Sequence, residues 1–217
     1  MSKDLWGQLA GTYDVDHTYI AGADLISAIQ SEVADAVPAG KVVELGCGTG
    51  LYTSAYASRC SQVIATDISE PMVEVAKRAL ANFPNVSVRV ADAISTGLPA
   101  GSADGVVAVN LLPIVPDAVA VLTETRRLLR PGGVLIIAYT TGEGSPVSQI
   151  LASIWRGLRR WGLKTHQKGQ RNLTRTTLEA LMRAAGFASI QGQVLTGAVM
   201  SATFVRAVRP ANKGNDS

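Results

Sequence analysis

Val42-Val43-Glu44-Leu45-Gly46-Cys47-Gly48-Thr49-Gly50 is the stretch from which the fold is read. An apolar run of the kind found in a buried strand ends in an acidic residue and opens into three glycines at alternate positions. The segment after it, Leu51 to Cys60, reads as a helix. Glycine turns tightly and lets backbone approach a ligand with no side chain in the way. A loop running into a helix N-terminus also presents free N–H groups and a partial positive charge. The geometry suits a small ligand bearing a carboxylate, phosphate or ribose. Spacing narrows the choice. A dinucleotide fold wants G-x-G-x-x-G with the pyrophosphate on the helix N-terminus, whereas this loop runs G-x-G-x-G with Glu44 two residues ahead of the first glycine. A carboxylate there repels a pyrophosphate and can take the ammonium of an amino acid.

Working outward, short apolar runs alternate with helical patterns. Asp24 caps a helix carrying Leu25, Ile26, Ile29, Val33 and Val37, stopped by Pro38 and Gly40. Gln62–Thr66 is a second strand ending at Asp67, after which Ser69 caps a helix with Pro71 in its first turn. Asn85–Val90 and Gly105–Val109 are the third and fourth strands, leading to Asp92 and Asn110. A helix over 117–129 stops at Arg130-Pro131-Gly132-Gly133, and Val134–Tyr139 is a fifth strand. Further on, Thr176 and Glu179 make a capping box for a helix ending at Gly186, before strands at 189–195 and 202–208. This alternation predicts an α/β fold with a mostly parallel sheet covered on both faces. In such a sheet ligands bind beyond the carboxyl ends of the strands. Glu44, Asp67, Asp92 and Asn110 all lie at such ends.

The nine-residue glycine motif after a strand resembles the first motif of the class I S-adenosylmethionine-dependent methyltransferases. The resemblance runs from Lys41 to Tyr139 and includes Leu129-Arg130-Pro131-Gly132-Gly133. It is closest to the methyltransferase type 11 subgroup that includes the ubiquinone- and menaquinone-biosynthesis enzymes, which the pair Tyr13-Asp14 also resembles. The resemblance implies a doubly wound, Rossmann-like sheet of seven strands with the last strand antiparallel. The methyl donor S-adenosylmethionine is then the cofactor, and S-adenosylhomocysteine the product. It further implies that Gly46, Cys47, Gly48 and Gly50 form the cofactor loop with Glu44, and that Asp67 takes both ribose hydroxyls. Asp92 and the Ala93 N–H address the adenine edge, Ile68 and Met72 sandwich its ring, and Tyr13 and Asn110 complete the cofactor site. Members of this subgroup often carry a histidine just after the fourth-strand asparagine. Here Asn110-Leu111-Leu112-Pro113 offers no titratable group.

At 217 residues the chain is read as one domain over 1–209, with cap helices in 1–40, a basic lid insertion at 144–175 and a disordered tail at 210–217. The longest apolar stretch, 106–122, is broken by Asn110, Pro113, Pro116 and Asp117, so it makes no membrane span. Cys47 and Cys60 form no metal or redox spacing, no metal is expected, and a reduced cytoplasmic protein is the simplest reading. Net charge is +3 but uneven. Between Glu143 and Glu179 there is no acidic residue, and seven cations stand there: Arg156, Arg159, Arg160, Lys164, Lys168, Arg171 and Arg175. Within this stretch a helix from Ser145-Pro146 carries Val147, Ile150, Leu151, Ile154, Leu158 and Trp161 on one face. Three readings stand side by side for residues 146–175: a helix in a membrane interface, a lid whose arginines meet a phosphate-bearing substrate, or a solvated basic surface with its apolar face packed. Nucleic acid is not expected, since the charge is one short cluster.

Methyl transfer from a sulfonium is an in-line displacement that needs alignment and exclusion of water. A general base is needed only where the acceptor must first lose a proton. His17 and Tyr13 are the candidate catalytic residues; for His17 solvent exposure is the competing reading, and His166 falls in the basic stretch. The function expected is transfer of a methyl group to oxygen or nitrogen of a small-molecule acceptor. A phospholipid or quinone-type acceptor at a membrane surface, and a non-catalytic S-adenosylmethionine-binding protein, are the alternatives. A dinucleotide oxidoreductase is disfavoured by Glu44 and the glycine spacing.

Overall fold

The computed structural model describes residues 3–161 and 173–211. Lys164, His166, Lys168, Arg171, the Trp161 side chain and the tail 212–217 lie outside the described residues. One sheet of seven strands is built from β1 (Lys41–Leu45), β2 (Gln62–Asp67), β3 (Val86–Val90), β4 (Ala103–Val109), β5 (Leu129–Thr141), β6 (Ala188–Thr196) and β7 (Ser201–Val208). Their order is β3-β2-β1-β4-β5-β7-β6. β1 pairs in parallel with both β2 and β4, and β7 lies antiparallel between β5 and β6. The chain leaves β1 toward β2 on one side and meets β4 on the other. A crevice therefore opens beyond the carboxyl ends of β1 and β4.

Period-two alternation divides the strands between two cores. Leu135, Ile137 and Tyr139 of β5 face one core with Leu122 and Leu128, while Val134, Ile136 and Ala138 face the other with Leu25, Ile29 and Val33. Val43 and Leu45 belong to the first core and Val42 to the second. Glu44, one step along from Val43, therefore shares the face of Val42. Eight helices surround the sheet: α1 (Lys3–Leu9), α2 (Tyr13–Ala21), α3 (Ala23–Ala36), α4 (Thr53–Tyr56), α5 (Glu70–Ala79), α6 (Ala118–Leu128), α7 (Val147–Trp161) and α8 (Arg175–Ala184), counted among the described residues. None of them is long and apolar enough to cross a membrane.

Several local expectations shift. The helix after the glycine loop is one short turn, α4, continued by a 3₁₀ turn at Ala57–Arg59. The residue before α3 is Gly22, and Asp24 instead accepts the Ala198 N–H at 2.6 Å, tying α3 to the β6–β7 connection. Arg130–Gly133 is not a loop ahead of the fifth strand but part of the extended run of β5. α8 is capped by Thr174, which accepts the Thr177 N–H, and not by Thr176; Glu179 pairs with Arg175 and Arg183 on its own helix. With three threonines close together, the buried Leu173 and Leu178 decide which one stands at the helix start.

One buried carboxylate fastens the loop that follows β3. Glu124 of α6 accepts the Thr96 N–H at 2.9 Å and the Thr96 hydroxyl at 2.6 Å, and Arg127 pairs with both of its oxygens. The Arg127 guanidinium first, and the Thr96 donors with it, hold its carboxyl down to about 2. A depressed folded value contributes stability that is fully present above the ordinary glutamate range and lost as pH falls toward about 2. Glu124→Gln is therefore expected to lower the melting temperature at neutral pH, with the gap from wild type closing as pH drops from 4.5 toward 2. A thermal melt series across that range checks it.

Candidate functional site

The loop after β1 is held by its own backbone and by the end of β2. Gly46, Gly48 and Gly50 all take positive φ (71°, 54° and 88°), where a side chain is strained. Beyond that shared strain the last two differ. A Cβ on Gly50 would stand 2.9 Å from Leu80, so this glycine lets the loop lie against the end of α5. A Cβ on Gly48 would meet nothing within 4 Å, because its α-carbon faces a cavity. Asp67 fixes the loop by accepting the Gly48 N–H on Oδ2 at 2.9 Å and the Ser69 N–H on Oδ1 at 2.9 Å. A carboxylate oxygen has two lone pairs, so each retains one.

The cavity holds about 270 Å³ and opens at the carboxyl ends of β1, β2, β3 and β4. Its wall includes Tyr13, Gly46, Gly48, Asp67, Ile68, Met72, Asp92, Ala93 and Asn110, so nine of the residues singled out in the sequence meet in one place. Glu44, Cys47 and Gly50 do not line it. Glu44 is buried one layer back, delivered by the β1 alternation beneath α4, where Oε2 accepts the Thr53 hydroxyl at 2.5 Å and the Tyr56 hydroxyl at 2.7 Å. The rest of the wall was not assigned from the sequence and includes Trp6 of α1, Ile94 after β3, and Leu111, Ile114, Val115, Pro116 and Asp117 after β4. The signal for the group after β4 was present as an apolar run directly after the strand-end Asn110. Trp6 carried no signal beyond being aromatic.

α2 closes the front of the cavity and is fastened to the loop behind it. The Thr49 hydroxyl donates to Asp14 Oδ1 at 2.5 Å. Tyr13 lines the cavity, meets Trp6 edge-on, and stacks on His17 with ring centres 5.6 Å apart. The structure overturns the exposed reading of His17: it is 4% exposed, with Nε2 at 2.9 Å from the Tyr52 hydroxyl and 3.4 Å from Asn110 Nδ2. His17 does not line the cavity but stands one ring behind it. Asn110 takes a positive φ of 54° and accepts the Thr140 N–H on Oδ1 at 2.8 Å, which aims its amide at His17.

Burial dominates the electrostatics. It pushes Glu44 up to about 7 against the pull of the Thr53 and Tyr56 hydroxyls, with the Asp67 charge adding to the rise. Burial also raises Asp67, although the Ser69 and Gly48 N–H groups oppose it. The hydroxyls of Tyr13 and Tyr52 are pushed above the tyrosine range, and His17 is lowered to about 4. At neutral pH, His17 and both tyrosines are therefore uncharged.

Residues 43–137 match the methyltransferase-domain family. Over that stretch the chain is similar to methyltransferase domains. Over 96% of its length the chain is 28% identical to the demethylmenaquinone methyltransferase of Clavibacter sepedonicus, covering 90% of that protein. Over 55% of its length it is 35% identical to the ubiquinone biosynthesis O-methyltransferase of Xanthomonas campestris, covering 50% of it. The chain spans only 32% and 7% of the length of two further curated relatives. A SAM-dependent methyltransferase from Thermotoga maritima superposes over 96% of this chain and 100% of its own, with TM-score 0.74 at 20% identity, which shows the shared fold.

The methyl donor of such a domain is S-adenosylmethionine, and the residues present fit it. The open space over Gly48 admits a ligand against bare backbone, and Asp67 keeps two lone pairs for hydroxyl donors. Glu44 supplies a test of how the loop is built. A glutamate whose folded value is raised to about 7 contributes stability that is present below the unfolded value of 4.5 and lost as pH rises through about 7. Glu44→Gln keeps an acceptor for both hydroxyls. It is expected to flatten the decline in melting temperature between those pH values and to gain up to ~3 kcal/mol over wild type at pH 8. Parallel thermal melts of the two proteins check it.

Proposed function

We propose that the protein transfers a methyl group from S-adenosylmethionine to a small-molecule acceptor by in-line displacement, with an acceptor oxygen favoured over nitrogen. The observation that carries the reading is one cavity with two unlike walls. Gly48, Asp67, Ile68, Met72, Asp92 and Ala93, at the ends of β1, β2 and β3, bring bare backbone and two carboxylates, and Trp6, Leu111, Ile114, Val115 and Pro116 bring apolar surface, with Asp117 beside them. The first suits a nucleoside, with Asp67 on the ribose, Asp92 and the Ala93 N–H on the adenine edge, and Ile68 and Met72 about the ring. The second suits a flat, apolar acceptor such as a phenol or quinone precursor; the two relatives above are named for demethylmenaquinone and for ubiquinone biosynthesis, the latter as an O-methyltransferase. Bound there, the donor supplies a methyl already activated by its sulfonium.

The protein's share is then alignment and exclusion of water. Tyr13, held in place by the His17 ring, closes the front and offers a neutral hydroxyl as a hydrogen-bond donor to donor or acceptor. His17, lowered to about 4 and engaged by Tyr52, serves this account as a positioning group and not as a base. An acceptor hydroxyl that ionises readily loses its proton to water before transfer. Glu44, Cys47 and Gly50 contribute from behind the wall by shaping the loop. One domain over 1–209, with 1–40 as cap and 144–175 as lid, is part of the same proposal. So is a cytoplasmic setting, which the two free, buried cysteines Cys47 and Cys60 favour. A quinone-like acceptor would also bring the protein to a membrane, through residues 146–175.

The experiment is S-adenosylhomocysteine release measured against a panel of phenolic, amine and carboxylate acceptors. Turnover with phenols, rising with pH through the acceptor's own ionisation and not through a protein group near neutrality, is expected. Asp67→Ala is expected to weaken S-adenosylhomocysteine binding by about a hundredfold, the scale of losing two charge-assisted hydrogen bonds. Unchanged affinity in that variant contradicts the ribose assignment, and an absence of turnover with every acceptor contradicts the enzyme assignment.

A further inference from the structure

α7 divides its apolar residues between two faces. Ser153 and Gly157 are buried and Ile150 is partly covered, on the side that packs toward the domain. Val147, Leu151 and Trp155, spaced four apart and so in one row along the helix, are 71%, 61% and 56% exposed. Such a row in water is costly and is not explained by packing. α2 packs against α7 and adds Val15 (63% exposed) and Tyr19 (41% exposed). Eight large apolar side chains are this exposed among the described residues, and five of them sit on these two helices.

The charge around the row has one sign. The Arg159 guanidinium lies over the Trp155 ring at 5.2 Å, and that of Arg156 lies over Tyr19 at 5.5 Å. Neither pairs with a carboxylate among the described residues. The acidic residues of α2 are turned to other uses: Asp16 pairs with Arg160 at 2.6 Å, and Asp14 accepts the Thr49 hydroxyl. α7 itself carries no acid. An apolar row with a tryptophan, edged by arginines that snorkel over aromatic rings, matches a helix lying in the headgroup layer of a bilayer. A second copy fits poorly. A two-fold contact would set the same arginines against each other.

We propose that the exposed face of α7, together with Val15 and Tyr19 of α2, docks the protein on an anionic lipid surface. This sharpens the membrane contact of the preceding reading and rests on it. It is nevertheless read without catalysis, so its failure and the failure of methyl transfer are separable.

The test is cosedimentation of the whole chain with phosphatidylcholine vesicles, with and without phosphatidylglycerol. Partition is expected to be at least ~tenfold stronger with phosphatidylglycerol and to fall with added salt. Replacing Leu151 and Trp155 together by serine should weaken it by ~tenfold or more. Arg159→Gln alone should weaken it by about fivefold. All three positions are exposed, so unchanged melting temperatures are expected and separate lost docking from lost folding. Absent partition, equal partition on both lipids, or variants that bind like wild type would overturn the proposal. So would a concentration-dependent dimer in sedimentation equilibrium that the Leu151/Trp155 variant abolishes, since the face would then belong to a second copy.

Discussion

A single carboxylate, Asp67, accepting the backbone N–H of Gly48 and of Ser69, joins the loops after β1 and β2. Three glycines in the left-handed region have many ways to turn when unfolded and lose that freedom on folding. Something must hold the one turn that leaves the Gly48 backbone bare to the cavity. Asp67 does so from the end of the neighbouring strand, which the parallel β1–β2 register delivers to that height. The same group that fixes the loop is the one proposed to bind the ribose. Loop shape and ligand affinity therefore depend on one side chain, and a change there acts on both.

The second requirement is a front wall, and α2 provides it through fixings that point three ways. Asp14 holds the glycine loop, Asp16 holds α7, and His17 meets Tyr52 and Asn110 at the crevice. A buried polar cluster is stable only when its members are satisfied. Keeping His17 neutral avoids burying a charge there. That favours an aligning role over proton transfer and places the chemical demand on the acceptor.

Much of the sheet was legible in the sequence because parallel strands buried on both faces read as short apolar runs, as Val42–Leu45 and Val134–Ala138 do. The strand-end residues Asp67, Asp92 and Asn110 could be picked out for the same reason: a polar residue closing such a run has to emerge at the crevice. What the pattern could not supply was depth. Glu44 carries the same strand-end signature as Asp67, yet β1 alternation sends it beneath α4 to Thr53 and Tyr56 and not to the wall. Caps were similarly ambiguous where several candidates crowd together, as at Thr174 and Thr176, since burial of flanking leucines chooses between them. Trp6 was illegible because a residue on a seven-residue helix reaches the site only through tertiary packing against Tyr13. On α7 the sequence placed the apolar residues on one face, and only packing against α2 showed that one row of them stays in water.

The central claim, that one cavity seats the methyl donor over Gly48 with its ribose on Asp67, is tested most directly by a crystal structure of the protein with S-adenosylhomocysteine. The account predicts both ribose hydroxyls on the Asp67 carboxylate, the adenine between Ile68 and Met72, and the homocysteine sulfur facing Leu111 and Ile114. Density for the ligand elsewhere, or a ribose that bypasses Asp67, would contradict it.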